Sequence, residues 1–172
     1  MRLKVSIVAI FMMWSLSCFC QIEKRSTAIK VDVSGSWQIT EVQYLYPDTT
    51  YIRNTIPYGR FIFDKNRYAL MYNPVMMERT PFKNLSKPED AELIEAFRSI
   101  VFNSGSYVIE DDVVHTTADL AKVPGFEGGQ QFYRIERVED NLQLVMYDET
   151  YPDGNKPEWY GKVKVSFLLM RE

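Results

Sequence analysis

The sequence predicts an all-β protein, an antiparallel up-and-down β-barrel of about eight strands carrying one amphipathic helix. Three observations predict it. From Trp37 onward, short runs of alternating apolar and polar residues recur with turn residues between them. Aromatic residues make up 14% of the chain, with 11 Tyr and 10 Phe, and such side chains suit the half-buried surface of a strand. Only one stretch, residues 86–101, repeats apolar residues at helical spacing.

The chain opens on a segment that is not part of this pattern. Arg2 and Lys4 are basic, and Val5 through Cys20 carry no charge. That run is shorter than the roughly 20 apolar residues of a membrane span, and it reads as a signal peptide. Cys18 and Cys20 occupy the third and the last position before Gln21, where a leader peptidase requires small side chains. The expected organisation is a leader over 1–20, a polar tether over 21–33 and the barrel domain over 34–172. The expected destination is the periplasm of a Gram-negative-type cell or the medium. Two alternatives stay open: an uncleaved anchor, or lipid attachment at Cys18 through the imperfect lipobox Ser15-Leu16-Ser17-Cys18.

Both cysteines lie in the leader, so a processed chain has no disulfide and no thiol chemistry, and after cleavage no span remains. The net charge of −3 becomes more negative once Arg2 and Lys4 are removed, which argues against nucleic acid as a partner.

Along the barrel, three hairpins stand out. Phe61-Ile62-Phe63 and Tyr68-Ala69-Leu70 flank residues 64–67, Tyr107-Val108-Ile109 and Val113-Val114-His115 flank 110–112, and Arg134 to Val138 and Leu142 to Val145 flank 139–141. Asp and Asn at each reversal tolerate the left-handed backbone of tight turns. Ser86 and Glu89 predict a capping box, with Pro88 in the first turn. Leu93, Ile94, Phe97, Ile100 and Val101 give the helix that follows one apolar face, suited to lying against or across a barrel mouth. Tyr151-Pro152-Asp153-Gly154-Asn155 predicts a turn before a last strand over 159–170. Closing the sheet removes the hydrogen-bonding edges that an open one exposes.

Gly35-Ser36-Trp37, at the head of the first strand, is similar to the Gly-x-Trp signature of lipocalins and their relatives. Residues 99–144 resemble the bacterial lipocalin-like domain: Gly105-Ser106-Tyr107, then Val113-Val114-His115, Pro124-Gly125 and Arg134 follow the family's order. The resemblance implies a calycin-type barrel over roughly 34–171 whose base is plugged by Trp37, with Arg171 packed across it. It departs from the family pattern at His115, which is followed by Thr116 where a second His is usual, and in lacking the Thr-Asp-Tyr motif of the larger secreted lipocalins.

Function follows less directly. One histidine and no cysteine in the processed chain leave too few ligands for a zinc site, and no cofactor motif is present. The leading expectation is a non-catalytic barrel for a small hydrophobic or amphipathic molecule, lined by Tyr107, His115 and Tyr133, with Arg134 or Glu41 fixing a polar group. Strict alternation from Trp37 puts Glu41 inside the barrel facing Arg134 or Arg60, whereas a bulge puts it in water. Two other readings stay open: an isomerase or cyclase moving a proton on His115 or Glu41, and a solid barrel that binds a partner through Tyr44, Tyr46 and Tyr51. Asp111-Asp112 and Asp148-Glu149 read as solvated charges near turns.

Overall fold

The computed structural model describes residues 31–54, 59–74, 78–138 and 140–172. The leader expected over 1–20 and most of the tether lie outside the described residues. In chain order the elements are β1 (Gly35–Leu45), β2 (Thr50–Asn54), β3 (Arg60–Asp64), β4 (Arg67–Tyr72), α1 (Asp90–Arg98), β5 (Val101–Glu110), β6 (Val113–Ala121), β7 (Gln130–Val138), β8 (Asn141–Thr150) and β9 (Lys164–Arg171).

Every pairing is antiparallel, and β9 returns to pair with β1, closing the barrel. The strand on the other side of β1 is split. β3 pairs with Gly35–Gln38 and β2 with Glu41–Leu45, so the two together occupy one barrel position and the barrel is eight-stranded. The three expected hairpins form at one end. Lys65 and Asp111 take positive φ at the first two reversals, where a tight turn demands it. The last strand begins at Lys164 instead of 159, because residues 159–163 turn back on themselves through Lys162 N–H to the Trp159 carbonyl, with Gly161 at positive φ.

The helix also differs from expectation. Its cap is Glu89, not Ser86, and the reciprocal box joins Glu89 to Glu92. It ends at Arg98 because Val101 is already the first residue of β5. None of its residues is buried, and Leu93, Ile94 and Phe97 stay about half exposed. It is held at the rim by side-chain bonds such as Thr80 Oγ1 to Glu95 and Lys122 Nζ to the Phe97 carbonyl.

Inward-facing side chains fill the lower and middle barrel. Phe61 stacks on Phe63 at 4.4 Å and meets Tyr133 edge-on at 5.5 Å, while Phe63 meets Tyr107 at 4.9 Å. Each such aromatic contact adds about 0.5–1.5 kcal/mol beyond the area it buries. The base is sealed by Trp37, whose indole N–H donates to the Val33 carbonyl at 2.7 Å. Arg171 lies 5.4 Å over the Trp37 ring and donates to the Ser34 carbonyl. The stretch expected as a polar tether ends inside the fold, since Val33 is 1% exposed.

Candidate functional site

Among the described residues three strands carry a β-bulge, and two of the bulges decide which carboxylate meets the interior. On β1, Ile39 opposes Leu169 while Glu41 opposes Leu168, so Thr40 is the extra residue. Trp37 and Ile39 face inward before the bulge and Val42 after it, which turns Glu41 to the outer face. There it accepts a hydrogen bond from Gln43 Nε2. Of the two placements open for Glu41, the bulge gives the outer one and strict alternation fails, and neither arginine faces it: Arg60 pairs with Glu172 at 2.7 Å, and Arg134 lies near Asp112 at 3.7 Å.

The bulge on β8 has the opposite effect. Tyr133 opposes Met146 but Phe132 opposes Asp148, so Tyr147 is extra. Met146 faces inward, and past the bulge Glu149 does too, opposite Gln131. Asp148 stays on the surface in an ion pair with Lys156. The reading of Asp148-Glu149 as two solvated charges therefore fails at Glu149.

Above the aromatic core, at the mouth, a polar layer results. Tyr133 Oη donates to Gln131 Oε1 at 2.7 Å, and Gln131 Nε2 donates to Glu149 Oε2 at 2.6 Å. Asn103 Nδ2 approaches Gln131 Oε1 at 3.5 Å, and Thr116 Oγ1 donates to the Gln131 carbonyl. Among the described residues, Asn103 Oδ1 is a buried atom of this layer with no hydrogen-bond partner, while the Tyr68 hydroxyl lies against Thr116. Burial pushes the Tyr68 phenol up to about 12, and those of Tyr72 and Tyr133 well above their ordinary value, so all three remain neutral.

Over this layer opens a cavity of about 470 Å³. Asn103, Gln131 and Glu149 contribute to its wall together with Lys122, Phe126 and Tyr151. The loop expected at the mouth, Pro124 to Gly129, supplies Phe126, whose ring meets Tyr151 edge-on at 6.2 Å. Lys122 turns its ammonium toward the Phe97 carbonyl at 2.8 Å and over the Phe97 ring. Burial raises the Glu149 carboxyl above its ordinary 4.5, with the Gln131 hydrogen bond opposing the rise.

A carboxyl raised in this way supports the fold fully below about pH 4.5 and withdraws that support as pH climbs through its folded value. Glu149→Gln keeps the oxygen that accepts from Gln131 and removes the desolvated charge. It is expected to raise the melting temperature at pH 7, with a gain that closes as pH falls toward 4; thermal melts across that range check it, and a lower melting temperature at pH 7 would contradict it.

Of the residues singled out in the sequence, Tyr133 reaches the polar layer. Tyr107 is buried against Phe63 near the base, away from the cavity. His115 lies on the outer face, stacked on its cross-strand partner Phe132 at 4.3 Å, with Nε2 unpartnered. Arg134 is outside as well, 5.9 Å from the Tyr147 ring. Sequence reasoning missed Asn103, Gln131 and Glu149. Their polar character looked like that of surface positions, and the register that turns Glu149 inward is a property of two strands, not one.

Among solved structures, an uncharacterized protein from Bacteroides eggerthii DSM 20697 is similar at 16% identity and TM-score 0.40, covering 81% of this chain and 100% of its own. A lipocalin-like protein from Bacteroides uniformis ATCC 8492 is similar at 13% identity and TM-score 0.41, covering 83% and 100%. No curated protein matches. The family model of the lipocalin-like domain matches residues 34–165, from the strand that carries Trp37 to the strand that closes the barrel on it. The chain belongs to the lipocalin-like domain family.

Proposed function

We propose that this protein is an exported, non-catalytic barrel that holds a small, partly apolar molecule at its mouth. The observation that carries the reading is the cavity itself. It opens above a filled core and a sealed base, and its wall combines aromatic rings with a few polar groups, as small-molecule sites do. The proton-transfer alternative is disfavoured, since His115 and Glu41 both lie on the outer face. Export rests on the charge pattern of residues 1–20, with lipid attachment at Cys18 as the competing form of it.

Native mass spectrometry of the protein recovered from its host's periplasm or medium is expected to show a co-purifying adduct. Ala121→Phe, which fills the cavity from its wall, should lose the adduct, and His115→Ala on the outer face should keep it. An adduct that survives Ala121→Phe places binding elsewhere. A bare mass, with no uptake from an extract of host metabolites, sinks the reading.

A further inference from the structure

The polar end of the cavity is built for one kind of partner. With Glu149 ionised, its oxygens only accept, so Gln131 must present Nε2 to it and Oε1 to the other side. Gln131 Oε1 then accepts a hydrogen bond from the Tyr133 hydroxyl and faces the Asn103 amide nitrogen. The orientation of Asn103 follows: were its amide reversed, two oxygens would meet. Its Oδ1 is left without a donor in a residue only 5% exposed. Glu149 is a second acceptor in the same wall, and among the described residues Gln131 is its one hydrogen-bond donor.

The charge is equally one-sided. Glu149 is partly withdrawn from water, and a carboxylate so placed gains from a counter-charge. Among the described residues that line the cavity Lys122 is the one cation, and its ammonium is turned to Phe97. Phe126 and Tyr151 meanwhile offer ring surface, which attracts a cation as well as an apolar body.

We propose that the cavity takes an amphipathic amine, its protonated nitrogen donating to Glu149 in the wall that also holds the unpartnered Asn103 oxygen, and its apolar body lying against Phe126 and Tyr151. The inference rests on the reading of the cavity as a small-molecule site and adds the chemical class. An ammonium supplies the counter-charge that Glu149 lacks and is attracted by the unpartnered Asn103 oxygen in the same wall; a carboxylate of the same length would be repelled by both.

Calorimetric titration of the purified protein with n-octylammonium, 1-octanol and octanoate separates the two levels. The ammonium is expected to bind at least tenfold more tightly than the other two. Glu149→Gln should abolish that preference while 1-octanol still binds, which shows the variant folded with its cavity intact. Octanoate binding as tightly as the ammonium, or a preference that survives Glu149→Gln, overturns the amine assignment and leaves the cavity reading standing. If none of the three binds at millimolar concentration, the cavity reading fails and the amine assignment falls with it.

Discussion

Gly105→Ala is expected to destabilise the barrel by at least ~3 kcal/mol, enough to unfold a domain of ordinary stability at moderate urea concentration. Gly105 sits on β5 where the ladder to β6 shifts register, between Ser104 opposite Leu120 and Gly105 opposite Ala118. Asp119 is the extra residue, and β6 folds closely over β5 at that point. A methyl group on Gly105 would lie 1.9 Å from the Thr117 carbonyl oxygen and 2.8 Å from the Asp119 nitrogen. Both are backbone atoms, so no rotamer change relieves the overlap. Either the bulge unwinds or the two strands part, and each opens the barrel wall beside the polar layer. Ser104→Ala, its neighbour on the opposite face, is the control and should cost under ~0.5 kcal/mol. Urea unfolding of the two variants decides the matter; a wild-type midpoint for Gly105→Ala would mean that the close approach of the strands is not needed.

Trp37→Ala is expected to cost about 3–5 kcal/mol, the usual price of deleting a buried large aromatic ring. Three things are lost together. The indole, 4% exposed, leaves a cavity at the barrel base. The Val33 carbonyl loses its donor, and with it the hold on the chain entering the barrel. The Arg171 guanidinium loses the ring beneath it and keeps only its hydrogen bond to the Ser34 carbonyl. Arg171→Ala removes the cation and its hydrogen bond to the Ser34 carbonyl, at a site exposed to water, and should cost only about 0.5–1 kcal/mol. Equilibrium denaturation of both variants measures the ratio. Equal losses would mean that the arginine, and not the ring, seals the base.

These two positions bracket the molecule. Stability is concentrated at the base and in the aromatic middle, whereas the mouth carries a partly desolvated carboxylate and an unpartnered amide oxygen that work against the folded state. Polar groups left unpaired in a wall that also holds a cavity are where a ligand gains most by binding, because it supplies contacts the empty protein lacks.

What could be read in the sequence was whatever depends on neighbours along the chain. Alternation identified the strands, Asp and Asn marked the hairpin turns at 64–67, 110–112 and 139–141, and the resemblance begun by Gly35-Ser36-Trp37 brought Arg171 to the barrel base. The helix was visible in its spacing, but its cap moved from Ser86 to Glu89 and its apolar face stayed half exposed, since a short helix beside a closed barrel has little surface to cover. The tertiary structure alone decided the interior of the mouth. Glu41 and Glu149 are both glutamates within alternating strands, and nothing local says which one faces inward. The extra residues Thr40 and Tyr147 settle it, because a bulge arises only where two paired strands disagree in length, and that disagreement belongs to the pairing, not to either strand alone.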